Sequence, residues 1–218
     1  MGKLIVIDGT DGTGKATQSK LLYEKLLSEG EKVKLISFPD YSSRSSSLVK
    51  MYLEGEFGDD PEDVNPYSSS SFYAVDRVAS YLSNWKKDYE QGYTIIADRY
   101  TQSNMVHQAA KLEGKEKEDY LSWLINYEFN LLKLPFPDKV IFLKVDPAVS
   151  EKLREKREDK IDGDIHEKDS FFMRKSYETA MEMAKRYDWN IIDCDNGEDI
   201  KDREVILEMI LKKISPNT

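Results

Sequence analysis

Apolar residues along the chain gather in five short runs, set apart by longer stretches of helical period. Residues 3–8 (KLIVID) are apolar on both faces and end in a glycine-rich turn, which predicts a strand in a parallel sheet covered on both sides. The runs 32–38 (KVKLISF, closed by Pro39), 94–97 (TIIA), 139–145 (KVIFLKV) and 190–194 predict four more strands. Helical spacing fills the intervals. Residues 18–29 put Leu21, Leu22, Leu26 and Leu27 on one face, with Gly30 placed to end the helix. A short helix is expected near 48–53. A long one is expected over 67–89, with Phe72, Val75, Ala79 and Leu82 at intervals of three and four. Further helices are predicted over 102–112, 119–132, from Asp146-Pro147 onward, over 168–187 and over 201–214. Asp is a favoured cap and Pro suits the first helical position, so Asp146-Pro147 marks a start.

Strands alternating with helices from end to end predict an α/β fold, a five-stranded parallel sheet with helices on both faces. No composition shift or repeat divides the chain, so 1–218 reads as one domain. Charge narrows the partners: 41 acidic against 32 basic residues give a net charge of −9, which disfavours nucleic acid and anionic membrane. A local basic pocket for an anionic ligand remains compatible with that charge. One cysteine, Cys194, and two histidines leave no material for a disulfide framework or a zinc site. No apolar run approaches the roughly 20 residues of a membrane span. The expectation is a soluble protein of a reducing compartment, the cytoplasm.

The chemistry begins in the first turn. Gly9-Thr10-Asp11-Gly12-Thr13-Gly14-Lys15-Ala16-Thr17 lies between the first strand and the first helix. Glycines let backbone N–H groups face a common centre, the helix start adds partial positive charge, and Lys15 reaches toward outer phosphates. This fits a phosphate-binding loop, with Ala16 where the pattern wants a hydroxyl for magnesium. A dinucleotide fingerprint through Gly12 and Gly14 fails because Thr17 stands in place of the third glycine. At the end of the third strand, Asp98 is placed to hold magnesium directly or through water, and Arg99 offers a planar cationic fork for phosphate. Tyr73 and Arg77 lie one turn apart, which suits a base-binding wall and equally suits an aromatic packed under an arginine stem.

The loop GTDGTGKAT, the turn Phe38-Pro39-Asp40-Tyr41, the segment Tyr73-Ala-Val-Asp-Arg77, the run Asp98-Arg99-Tyr100-Thr-Gln-Ser103-Asn104 and a lid-like segment before Glu167 follow one another in a specific order. Together they resemble the thymidylate kinases, within the P-loop nucleoside-monophosphate kinases. The resemblance covers nearly the whole chain. It implies transfer of the γ-phosphoryl group of ATP to dTMP with Mg²⁺, usually by a homodimer, for which the apolar face from Tyr67 to Leu82 is a candidate contact. It implies that Lys15 holds the transferring group, Arg99 bridges donor and acceptor phosphates, Asp98 anchors the magnesium shell, and Asp11 takes the sugar 3′-hydroxyl. ATP would lie on residues Gly9 to Thr17, with Arg154 and Arg157 closing from a lid at 154–168. The acceptor would lie on Asp11, Phe38, Pro39, Tyr41, Tyr73, Arg77, Arg99, Ser103, Asn104 and His107. Tyr73 would stack on the base, and Arg77 and Asn104 would read its edge.

Several positions depart from that family's pattern. Asp40 stands where an arginine commonly grips the acceptor phosphate, with Arg44 near enough to compensate. Ile165 replaces a lid arginine, and His107 replaces a tyrosine that crowds a ribose 2′-hydroxyl. Asp40 also keeps open a deoxynucleoside kinase in which it serves as general base. Another deoxynucleoside-monophosphate kinase, and a nucleotide-binding module without turnover, are the remaining alternatives. A GTP switch is excluded by the lack of an Asn-Lys-x-Asp motif.

Overall fold

A computed structural model describes residues 1–10, 12–58, 60, 62–155 and 170–215, without the side chains of 151, 153–155 and 170. Asp11, residues 156–169 (which include Arg157 and most of the lid expected at 154–168), and the Arg154 side chain therefore lie outside the described residues.

The strands are β1 (Lys3–Gly9), β2 (Val33–Ser37), β3 (Thr94–Asp98), β4 (Lys139–Lys144) and β5 (Asn190–Asp193). They form one parallel sheet in the order β2-β3-β1-β4-β5. Continuous apolar strands are what such a sheet requires, because consecutive side chains enter opposite layers. Leu4 and Val6 of β1 join one buried cluster with Ile95, Ala97, Val140 and Phe142. Ile5 and Ile7 join the other with Ile96, Ile141 and Leu143. The second layer is closed by α1 (Lys15–Ser28) and α9 (Arg203–Ile214), through Leu22, Leu26, Ile206 and Ile210. The first is closed by α5 (Thr101–His107), α6 (Gly114–Ile125) and α8 (Ser170–Arg186), whose Met105, Val106, Leu121, Leu124, Ala180 and Met183 pack there. Between them in the chain, α7 (Pro147–Glu155) opens as expected, with Asp146 Oδ1 accepting from the Ala148 amide at 2.9 Å. Among the described residues no helix is long and apolar enough to cross a membrane.

Helix α1 begins three residues earlier than its apolar pattern suggests, because Lys15 starts it directly from the loop. Of its expected face, Leu22 and Leu26 are buried while Leu27 is exposed. Two neighbouring leucines cannot both face a flat sheet.

The long helix departs more instructively. After the short α2 (Ser47–Leu53), α3 (Pro66–Ser80) runs through a π-helical turn (Tyr81–Trp85) into α4 (Lys86–Glu90). Its inward residues in α3 are largely polar: Ser69, Ser70, Asp76, Arg77 and Ser80 are buried, with Ala74. The apolar stripe is turned outward, with Val75 48% and Leu82 63% exposed. The π turn adds slack that rotates the following face, so Trp85 and Tyr89 come back into the core. A period of three and four identified an apolar face correctly but could not say which way it points.

Beyond α5, a single 3₁₀ turn (Ala109–Lys111) carries Lys111 back toward α2. Its ammonium donates to Tyr52 Oη and to the Val64 carbonyl, both at 3.1 Å, and lies 5.6 Å from the Tyr52 ring centroid. Burial lowers its pKa from 10.5 to about 8, against the pull of Glu62 and Asp60. Between those values the unfolded chain binds more protons than the folded one, so stability rises with pH across the window. Urea unfolding of wild type and Lys111→Met through this range should show the wild type alone gaining on the order of 1 kcal/mol. Parallel curves for the two proteins would remove Lys111 from the account.

Candidate active site

Strand pairing sets the site. Ile7 lies opposite Asp98 in the β1–β3 register, so the loop after β1 and the turn after β3 emerge side by side at the carboxyl edge. Ligands of open parallel sheets bind at that edge.

The loop after β1 is built for close approach. A Cβ on Gly9 would stand 2.6 Å from the Leu143 carbonyl oxygen and 2.7 Å from Thr13 Oγ1, so no side chain fits. Gly12 and Gly14 both have φ of +80°, in the left-handed region. Gly14 caps α1 without a side-chain bond, leaving the helix-start amides turned to the loop. Thr13 Oγ1 (2.8 Å) and Lys15 Nζ (2.7 Å) both donate to the Thr10 carbonyl across the loop. Thr10, Thr13 and Lys15 are buried, whereas Ala16 and Thr17 face solvent.

Arg99 holds φ of +64°, an uncommon conformation for a side chain of its size, and its amide donates to the Ile7 carbonyl at 3.0 Å. That bend stops β3 and aims the guanidinium into the cleft; strain of this kind costs of order 1–3 kcal/mol and gathers at functional sites. Asp8 and Asp98 both lie within electrostatic reach of Lys15 and Arg99. Burial pushes both carboxyls above the usual range, and the two cations only partly reverse it. The loop lysine, the strand-end acid and the arginine therefore share one crevice.

From that crevice a cavity of about 80 Å³ extends between α2, α3 and α5. Phe38, Pro39, Tyr41, Tyr73, Arg77, Arg99, Ser103, Asn104 and His107 all line it. Every described residue expected around an acceptor is thus on its wall. Leu53, Tyr100 and Gln108 join them without having been foreseen. The Phe38-Pro39 peptide is cis. Tyr73 meets the Tyr52 ring edge-on at 6.4 Å. Asn104 is buried on that wall and its Nδ2 has no hydrogen-bond partner. His107 is no surface residue: it is half-buried and stacks on Phe172 at 6.5 Å.

Arg77 is 1% exposed and does both things its spacing allowed. It lines the cavity, and its guanidinium lies 6.0 Å from the Tyr100 ring centroid. It is also held by a residue that sequence reasoning missed. Glu128, 0% exposed, accepts from Arg77 Nε at 2.7 Å and Nη2 at 2.5 Å, and from Thr101 Oγ1 at 2.7 Å. Burial disfavours the charged guanidinium, and the carboxylate more than offsets this. Glu128 looked like one more acid on a helix, and nothing local distinguishes it.

Two further acids were overlooked. Asp8 reads as the end of a strand, yet it accepts from Gly9 N at 2.8 Å and from Ser103 Oγ at 2.9 and 3.0 Å, tying the loop to α5. Asp76 accepts from Asp40 N (2.9 Å) and Ser45 Oγ (2.6 Å), fixing the turn after β2. Asp40 itself turns its carboxylate onto Ser42, accepting from its amide (3.1 Å) and hydroxyl (2.6 Å), and is absent from the cavity wall. Arg44 is exposed and absent from it too. The Asp40 carboxylate is thus engaged within its own turn rather than on the cavity wall.

The family model for thymidylate kinases matches residues 7–205. The chain belongs to the thymidylate kinase family. A thymidylate kinase of Schizosaccharomyces pombe is 34% identical over 150 residues, covering 68% of this chain and 64% of the yeast protein. The matched stretch is thus just under two thirds of that relative's length. A thymidylate kinase of Plasmodium falciparum is 27% identical over 99% of this chain and 93% of its own. In architecture the chain is similar to the solved thymidylate kinase of Candida albicans, with a TM-score of 0.73, 26% identity, and coverage of 98% and 91%. The fold is that of the P-loop nucleoside-monophosphate kinases.

The magnesium used by such kinases finds fitting donors. Asp98 and Asp8 lie beside the phosphate loop and would offer hard oxygen donors, of which Mg²⁺ usually takes one or two carboxylates plus phosphate oxygens and water. Ala16 supplies no hydroxyl, so a metal here would be held by these acids together with nucleotide and water.

Removing Glu128 would leave the Arg77 charge buried and uncompensated. Glu128→Ala should lower the free energy of unfolding by about 3–5 kcal/mol in urea titration. The paired replacement Arg77→Met with Glu128→Leu should recover most of that loss. A single variant as stable as wild type would show that the pair is not what holds this wall.

Proposed function

We propose that the chain transfers the γ-phosphoryl group of ATP to dTMP, giving ADP and dTDP, with Mg²⁺, in the cytoplasm. The observation that carries this reading is the meeting of Lys15, Asp98 and Arg99 at the mouth of an aromatic-lined cavity. An acceptor phosphate oxygen attacks the γ-phosphorus while the bond to the β,γ-bridging oxygen breaks. Such transfer needs positioning and charge neutralisation more than covalent help.

Each residue then has a task. The loop amides and Lys15 hold the donor phosphates. Arg99, fixed by its bent backbone, neutralises the oxygens between donor and acceptor. Asp98, with Asp8 beside it, would hold the magnesium, which would supply positive charge to offset that of the donor phosphates. Tyr73 offers ring area for a planar base. Directed bonds from Asn104 Nδ2 and from the Arg77 donors not taken by Glu128 choose among bases, since stacking alone does not discriminate. Asp11 is assigned to the sugar, and Arg154 and Arg157 to the donor phosphates, on family resemblance.

We further propose a homodimer. Val75 and Leu82 form an exposed apolar stripe with half-buried Phe72 and Ala79 on α3 and the following turn, away from the sheet. A second copy of the same stripe is the partner that an apolar face of this kind fits. Sedimentation should give a dimer for the wild type and a monomer for Leu82→Glu; a monomeric wild type contradicts the assignment.

The activity is tested by initial rates with ATP and Mg²⁺ over thymidine and the four deoxynucleoside monophosphates. dTMP should be the best acceptor and thymidine should be inert. Lys15→Ala should lower the rate roughly 10³-fold with its circular dichroism unchanged. Turnover of thymidine without turnover of dTMP would reverse the reading.

A further inference from the structure

The acid that holds Arg77 comes from an irregular element. After α6 the chain passes through a π-helical turn, Asn126–Leu131, whose one buried residue is the charged Glu128. Such turns insert an extra residue into a helix and are frequent at functional sites. Here the carboxylate faces inward and meets an arginine 51 positions away. It accepts from Arg77 Nε and Nη2 on α3 and from Thr101 Oγ1 at the start of α5. Thr101 stands two residues after Arg99, and the Tyr100 carbonyl between them lies 3.5 Å from Arg77 Nη1. One carboxylate thus ties the base wall to the bend that aims Arg99.

A guanidinium carries five N–H donors and no acceptor. Glu128 takes Nε–H and one N–H of Nη2, a two-point grip that fixes the plane and rotation of the group. The Tyr100 carbonyl takes one N–H of Nη1, at long range. The second N–H of Nη1 and of Nη2 is taken by no described residue, on a side chain that lines the cavity. Only an acceptor satisfies such donors, so the base edge that meets Arg77 has to carry a carbonyl oxygen. An amino group there sets donor against donor, and sites of this kind discriminate because the wrong partner leaves buried polar groups unpaired. Without its grip the guanidinium can turn away from the cavity. Discrimination then falls while the phosphate chemistry at Lys15 and Arg99 continues.

We propose that Glu128 is the positioning residue for acceptor choice: it holds the Arg77 guanidinium so that pyrimidine monophosphates with a 4-carbonyl are taken and those with a 4-amino group are refused. This rests on the reading that the cavity takes dTMP. Thr101, whose hydroxyl bonds to Glu128 and not to Arg77, is a second support of the same grip.

The test compares initial rates for dTMP and dCMP with ATP and Mg²⁺. The ratio of the two kcat/KM values does not depend on how much of a preparation is folded, so it separates positioning from stability. Wild type should favour dTMP. Glu128→Gln should lower the ratio at least about tenfold, through a higher KM for dTMP, with KM for ATP changed by less than about twofold. Thr101→Val leaves both charges in place; it should lower the ratio about threefold, and it decides the matter where Glu128→Gln does not fold. An unchanged ratio, as when both acceptors lose rate equally, overturns the proposal and leaves dTMP turnover by wild type standing. Wild type that turns over dTMP and dCMP equally well overturns it too. Wild type inert toward dTMP removes the underlying reading, and the proposal with it.

Discussion

The pairing of Ile7 with Asp98 across β1 and β3 is the constraint on which the site depends. A slip of one residue would turn each β3 side chain to the other layer. It would also take Asp98 and Arg99 out of reach of Lys15. The register is held by burial on both faces, since Leu4 and Val6 enter one core and Ile5 and Ile7 the other. The Arg99 amide then bonds to the Ile7 carbonyl, which fixes the bend that aims its guanidinium. Packing of ordinary aliphatic residues thus positions the charged ones.

The second organising feature is a polar seam between α3 and the helices that follow β3. Arg77, Glu128 and Thr101 form a closed set of charge-assisted bonds, and Ser69 donates to Gln108 Oε1 at 2.7 Å. Ser70 and the Tyr120 hydroxyl lie 2.6 Å apart. A seam of this kind offers little net stability compared with apolar packing, and its value lies in fixing geometry. Because the inward side of α3 is given to these groups, its apolar residues face outward. One helix therefore supplies a wall of the active site and an exposed face for association.

The fold was legible because its signals are local. Strands buried on both sides must be continuously apolar, and all five appear within one or two residues of their runs. The phosphate loop was legible for the same reason: Gly9, Gly12, Gly14 and Lys15 act through backbone shape encoded in nine consecutive residues. What escaped was long-range pairing. The stripe from Phe72 to Leu82 has the right period and faces away from the core, but the slack at Tyr81–Trp85 carries no sequence signature. Glu128 meets Arg77 across 51 positions and Asp8 meets Ser103 across 95, so neither pairing leaves a spacing to read. The orientation of Asp40 is set by its neighbour Ser42, a turn geometry that residue type alone does not decide.

The central claim is that the phosphate loop and the Arg99 guanidinium serve one continuous crevice. It is tested most directly by isothermal titration with a molecule joining adenosine and thymidine through five phosphates. The account predicts one molecule bound per chain, far more tightly than ATP or dTMP alone and competed by each. It predicts that Arg99→Ala loses most of that advantage. Affinity no greater than that of ATP, with dTMP still able to bind alongside, would contradict it.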